Sequence, residues 1–166
     1  MKIRIANYIE DSIVDGPGLR FALFTQGCPH NCPGCHNPET HDPAGGQEAD
    51  TDEILSRLFS NPLTSGLTLS GGDPFVQPEA CAVLARAAKA RGLNVWCYTG
   101  WTFEQLLADT RPGVRELLES IDVLIDGPFV LAQRSLELKW RGSENQRVLN
   151  VPASLAAGEA VWLEEI

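Results

Sequence analysis

The sequence predicts an α/β domain whose strands run parallel in an open, partial β/α barrel. Three observations predict it. Strand-like and helix-like periodicities alternate along the chain, which implies parallel strands joined by right-handed crossovers. The polar, glycine-rich or cysteine-bearing segments fall directly after strands, at Gly27-Cys28, Gly71-Gly-Asp73, Thr99-Gly100 and Asp126-Gly127. The chain has 166 residues, against the roughly 250 of a complete eight-unit barrel. No internal repeat, low-complexity run or linker divides it, so residues 1–166 are expected to form one domain.

Each element has its own signal. Met1-Lys-Ile-Arg-Ile5 alternates polar and apolar like a strand. Asp15-Gly-Pro-Gly18 reads as a rigid turn that would need a bend to reach the ligand face. Arg20 to Thr25 is a buried strand, and the Pro-, Gly-, Asn- and His-rich stretch from Cys28 to Gly46 is a long loop. Long ordered loops in compact domains tend to be functional.

A helix starts near Asp50, whose spacing to Glu53 is that of a capping box, and Ile54, Leu55, Leu58 and Phe59 make its apolar face. Leu67 to Ser70 is a short strand. Pro78 to Arg91 is a helix with Cys81, Leu84, Ala85 and Ala88 on one face, Pro78 in its first turn and Gly92 at its exit. Asn94 to Tyr98 is the next strand. Thr102 and Gln105 form a second capping-box pair, and Val114, Leu117 and Leu118 mark a further helical turn or two. Asp122 to Ile125 is a strand. Beyond Phe129, Arg141-Gly-Ser143 reads as a loop, with strands expected over Arg147–Val151 and Ala160–Leu163. Cys81, Cys97, Trp96, Trp101 and Trp140 are read as packing residues.

Hydrophobic residues make up 43% of the chain, ordinary for a soluble domain, and the formal charge is −9. That charge argues against non-specific binding of nucleic acid or an anionic membrane. No apolar stretch approaches the ~20 residues of a membrane span. The N-terminus has no apolar signal core, and the five cysteines are an odd set, so a reducing cytoplasm is expected.

The most informative segment is Gly27-Cys-Pro-His-Asn-Cys-Pro-Gly-Cys-His-Asn37, in which Cys28, Cys32 and Cys35 follow a C-x3-C-x2-C spacing. Three thiolates so close together form a soft-metal site. A Cys3His zinc site would add His30 or His36 as fourth ligand. Zinc sites of that kind usually draw a second ligand pair from well downstream, and no later Cys-x2-Cys or His-x3-His pair is present. The spacing favours a 4Fe–4S cluster held by one thiolate fewer than the usual four. The fourth iron is then left for a chelating amine and carboxylate. S-adenosylmethionine carries both beside a sulfonium, which an electron from the cluster would cleave. Radical chemistry needs such a cofactor, because no ordinary side chain supplies it.

Leu69-Ser-Gly-Gly-Asp-Pro74 lies at another strand exit. Two glycines let backbone approach a ligand closely, and Asp73 could accept from an ammonium group. A plain tight turn is the alternative.

With these residues in view, the chain resembles the radical S-adenosylmethionine enzymes. More closely, it resembles the family of activating proteins of anaerobic (class III) ribonucleoside-triphosphate reductase. The matching segments are Val14–Arg20, Phe24–Pro38, Leu69–Pro74, Val123–Phe129 and Trp140–Arg147, in family order. The resemblance implies that Cys28, Cys32 and Cys35 ligate the cluster. It also implies that Gly34, Cys35, His36, Gly71, Gly72 and Asp73 surround S-adenosylmethionine. Asp15 and Arg141 are candidates for docking the partner. Many radical S-adenosylmethionine enzymes carry an aromatic residue where this chain has Gly34.

The implied reaction is reductive cleavage of S-adenosylmethionine. A 5′-deoxyadenosyl radical then takes a hydrogen atom from a glycine Cα of the reductase and leaves a glycyl radical. No catalytic residue beyond the cluster and cofactor is required. The electron would come from a flavodoxin- or ferredoxin-type donor. The alternatives are an activator of another glycyl radical enzyme of the pyruvate formate-lyase type, a small-molecule radical enzyme making a deazapurine, and a non-enzymatic zinc-binding interaction module.

Overall fold

The computed structural model describes residues 1–35 and 37–164. Among them, seven strands form one mixed sheet: β1 (Lys2–Ser12), β2 (Arg20–Thr25), β3 (Gln47–Asp50), β4 (Gly66–Gly71), β5 (Asn94–Tyr98), β6 (Val123–Asp126) and β7 (Arg147–Asn150). Their order is β3-β1-β2-β4-β5-β6-β7. The centre β2-β4-β5-β6 is parallel, as the alternation of periods implies. The flanks depart from the all-parallel expectation: β1 runs antiparallel to β2, β3 to β1, and β7 to β6. The reason lies in the connections. Parallel neighbours need a crossover of a dozen residues or more. Residues 13–19 between β1 and β2 are too few for one, and residues 127–146 between β6 and β7 hold no α-helix, only a 3-10 turn at Leu131–Gln133.

Five helices connect the strands: α1 (Thr51–Ser60), α2 (Pro78–Ala90), α3 (Phe103–Ala108), α4 (Val114–Glu119) and α5 (Val151–Ala157). All contribute to one core with the inward-facing positions of the sheet, such as Leu23, Leu69, Cys97 and Leu124. Strand side chains alternate between faces, so the intervening positions point away from the helices. There Trp96, Val123, Ile125 and Val148 form a smaller apolar cluster with Tyr98 and Trp140. The helices therefore seal one face and leave the other to loops and ligands.

Several local details correct the sequence reading. Asp50 caps α1 by accepting from the Asp52 amide at 2.9 Å, so the expected pairing with Glu53 is not the one used. Thr102 and Gln105 do make the full capping box. The strand expected to reach Val151 stops at Asn150, whose side chain caps α5, a helix that the periodicity did not reveal. Residues 160–163 do not form a strand; Trp162 makes a single bridge to Leu149. Among the described residues, no helix is long and apolar enough to cross a membrane.

Candidate metal and cofactor site

The parallel strands β2, β4, β5 and β6 end on one rim, where the segments leaving them meet. Beyond β2 the chain passes through Gln26 and Gly27 into the cysteine loop. The returning limb holds that loop: Gly27 donates to the Thr40 carbonyl at 2.7 Å and Cys28 to the His41 carbonyl at 3.1 Å. The Gln26 amide group donates to the carbonyls of Glu39 and Asp42 at 3.0 and 2.7 Å. Beyond β4, the Gly72 amide donates to Thr25 and the Asp73 amide to Gly27, tying the Gly-Gly-Asp turn to the same segment.

A cavity of about 900 Å³ opens on the loop-covered face of the sheet below this rim. Cys28, Cys32 and Cys35 line it together with Gly71 and Gly72 from the β4 turn. Asp15 and Arg141, more than a hundred residues apart in sequence, line the same cavity. Its walls include Phe24, Ser70 and Tyr98, the outward-facing positions near the ends of β2, β4 and β5. The sequence reading passed over these three. The signal that could have found them is the strand alternation, carried to the last residues before each polar turn.

The Asp15 turn reaches the cavity by folding back across the open face. The Thr68 hydroxyl donates to the Asp15 carbonyl at 2.7 Å, and the Ser12 hydroxyl donates to the Asp15 carboxylate. Arg20 anchors it from below. Its fully buried guanidinium donates to the Thr68 hydroxyl, the Pro17 carbonyl and the Leu67 carbonyl at 2.7, 3.1 and 3.0 Å. It also lies over the Trp96 ring. Burial lowers the Arg20 pKa to about 10, so it remains a cation at neutral pH.

The three loop cysteines are half-buried and unbridged, whereas Cys81 and Cys97 are fully buried in the core. Burial pushes the Cys28 thiol up to about 11, partly offset by the backbone N–H of His30. A thiolate there needs a metal's positive charge to compensate its desolvation. The Cys35 sulfur lies 3.5 Å from the Asn37 amide and 3.4 Å from His41 Nε2, a neighbour the sequence reading did not assign. Among the described residues, no group of three His, Cys, Asp or Glu side chains converges on one metal-ion position. Three thiols on one short loop, all lining one cavity, are a donor set that suits an iron–sulfur cluster. Trp140, read from sequence as packing, adds a second fitting feature. It lines the cavity, and its indole N–H is buried without a hydrogen-bond partner among the described residues. A ligand rich in acceptors, such as a nucleoside, matches that donor.

Two expected cofactor contacts are placed elsewhere. Gly34 does not line the cavity; it has φ +75°, and its missing side chain leaves room for Leu131. Asp73 is also off the cavity wall, with its side chain fully buried. Its Oδ1 accepts from the Phe75 amide and the Thr99 hydroxyl, both at 3.0 Å. Its Oδ2 accepts from the Gly100 amide at 2.8 Å and lies 2.6 Å from His30 Nε2. With both oxygens occupied, the carboxylate is not open to a ligand's ammonium group. His36 lies outside the described residues.

The comparisons with known proteins fit this geometry. Residues 14–149 match the family described as a 4Fe-4S single cluster domain. The anaerobic ribonucleoside-triphosphate reductase-activating protein of Escherichia coli (strain K12) is 36% identical over 149 residues, covering 85% of this chain and 94% of that one. The chain belongs to the anaerobic ribonucleoside-triphosphate reductase-activating protein family. Members of this family from Pasteurella multocida (strain Pm70) and Enterobacteria phage T4 are 39% and 38% identical over 84% and 81% of this chain. They are themselves covered over 92% and 86% of their lengths. Among solved structures, QueE from Escherichia coli superposes with a TM-score of 0.51 at 14% identity, covering 76% of this chain and 70% of that one. That likeness concerns the fold, an α/β arrangement with a parallel-rich sheet.

Proposed function

We infer that this chain activates an anaerobic ribonucleoside-triphosphate reductase, acting as a radical S-adenosylmethionine enzyme. One observation carries the reading. In a chain of this family, the three unbridged cysteines and the Gly71-Gly72 strand end face one cavity. Cys28, Cys32 and Cys35 would hold the 4Fe–4S cluster. Bound there, the cluster and S-adenosylmethionine supply the one-electron chemistry that activation requires: reductive cleavage of the cofactor and removal of a hydrogen atom from a glycine Cα of the reductase.

The chain's own part is to bind, orient and exclude water. Gly71 and Gly72 would offer backbone groups to the same cavity, and their lack of side chains lets the turn pack on the backbone of residues 24–27. Phe24, Tyr98 and Trp140 supply apolar wall, and the buried Trp140 N–H supplies a donor for the nucleoside portion. Asp15 and Arg141 stand at the same cavity and would meet the glycine-bearing segment of the reductase. No acid–base pair is needed, because a hydrogen atom rather than a proton leaves the glycine. The sheet would act as an open, partial barrel of the radical S-adenosylmethionine type in a single cytoplasmic domain. A flavodoxin- or ferredoxin-type protein would deliver the electron.

The test is anaerobic. The chain is reconstituted with iron and sulfide, reduced, and mixed with S-adenosylmethionine and the candidate reductase. About four irons and four sulfides per chain are expected, with a glycyl-radical EPR doublet on the reductase that is absent for Cys32→Ala. One zinc and no sulfide would overturn the cluster. Cofactor cleavage with no radical on the reductase would overturn the partner.

A further inference from the structure

Asp73 sits where three strand ends meet. It belongs to the turn after β4, Thr99 and Gly100 come directly after β5, and His30 lies in the cysteine loop after β2. Thr99, Gly100 and His30 line the cavity, and Asp73 holds them from behind its wall. His30 stands midway between Cys28 and Cys32 in sequence, and its ring is 14% exposed. One ring nitrogen faces the Asp73 carboxylate at 2.6 Å, and the edge of the ring meets Trp101 with centroids 4.5 Å apart. Gly100 is shaped to admit it: a Cβ there would stand 2.4 Å from the imidazole Cδ2. A ring fixed at one end thus fixes the peptide that carries the first cysteine pair.

We propose that Asp73 and His30 are positioning residues for the cluster: the His30–Asp73 contact, accommodated by Gly100, clamps the Cys28–Cys32 segment onto the sheet. This rests on the reading of Cys28, Cys32 and Cys35 as ligands. Asp73 is fully buried off the cavity wall and acts through His30, which lines it. The clamp acts as outer-shell partners of metal ligands do, holding a donor in the geometry the metal needs, and loss of such partners costs roughly 10–100-fold in metal affinity.

The experiment compares wild type, His30→Ala, His30→Gln and Gly100→Ala after anaerobic reconstitution. Iron retention is titrated against a ferrous chelator, and the cluster's midpoint potential is measured by EPR-monitored titration. His30→Ala is expected to lose iron at about 10–100-fold lower chelator concentration and to shift the potential. His30→Gln, which can still donate to Asp73, is expected to restore most of the retention. Gly100→Ala keeps both partners but displaces the ring, and is expected to resemble His30→Ala. It also decides the matter if His30→Ala fails to fold. Retention and potential equal to wild type in His30→Ala, or in Gly100→Ala where His30→Ala does not fold, overturn the clamp alone. Wild-type protein that takes up no cluster overturns the reading of the cysteines and the clamp with it.

Discussion

Gly72 packs so tightly against Gly27 that a Cβ on it would stand 2.4 Å from the Gly27 carbonyl oxygen. That oxygen already accepts from the Asp73 amide at 2.9 Å. The Gly-Gly-Asp turn and the start of the cysteine loop are therefore one packed unit, although more than forty residues separate them in sequence.

Gly72→Ala is accordingly expected to push the two segments apart. The cost should be in the ~1–3 kcal/mol range of an overpacked site, with reduced cluster uptake. Urea unfolding of the metal-free chain and iron analysis after reconstitution check both. Wild-type values in each would show that the turn absorbs the methyl group.

Arg20→Met keeps most of the side-chain volume but removes the donors that hold Pro17 and Leu67. Leaving those acceptors unpaired should destabilise the chain by about 3 kcal/mol. Hydrogen exchange across residues 13–18 should accelerate, because that turn loses the Arg20 donor that holds its Pro17 carbonyl. Unchanged exchange there would mean that the Ser12 and Thr68 contacts suffice.

Arg147 joins the buried Asp126 carboxylate, at 2.5 and 3.0 Å, to Glu104 at 2.6 Å. Asp126 is 1% exposed and Glu104 54% exposed, which separates the two contacts energetically. Arg147→Gln should cost roughly 3–5 kcal/mol, since it strands a buried charge. Glu104→Gln should cost no more than about 1 kcal/mol, because solvent screens that pair. Equal costs in chemical denaturation would contradict this division.

The core thiols predict an alkaline limit to stability. Burial raises the Cys81 and Cys97 pKa values well above those of free thiols. In the unfolded chain these thiols ionise near pH 8.5, while the folded chain keeps them protonated. Their contribution is complete below that pH and declines as pH rises toward their folded values. The expected slope is about 1.4 kcal/mol per pH unit for each thiol. Denaturation of wild type and Cys81→Ala at pH 7.5 and pH 10 measures it: the gap between them should narrow at the higher pH. A gap independent of pH would show that Cys81 carries no such linkage.

Much of the central architecture could be read from local pattern. The strand over Arg20–Thr25, the strand over Asn94–Tyr98 and the Thr102–Gln105 capping box agree with the structure residue for residue. Each is fixed by near-neighbour chemistry. The expectation that the cysteine loop and the Gly-Gly-Asp turn share a rim also agrees, because parallel strands must end together. The flanking strands were harder. The direction of β1 and β7 depends on how long their connections are, and α5 begins where an apolar run gives no hint that the strand has ended.

The donor chemistry was legible in the chain alone, since three thiols at C-x3-C-x2-C spacing sit on one short loop and need no long-range contact to bring them together. So was the alternation of helix and strand from α1 to β6. The part played by Asp73 emerged only on folding. A carboxylate beside two glycines looks ligand-facing along the chain, yet in three dimensions the donors of His30, Thr99 and Gly100 surround it. Those partners come from other strand ends, and no local pattern encodes which side chains a parallel sheet will bring to one point.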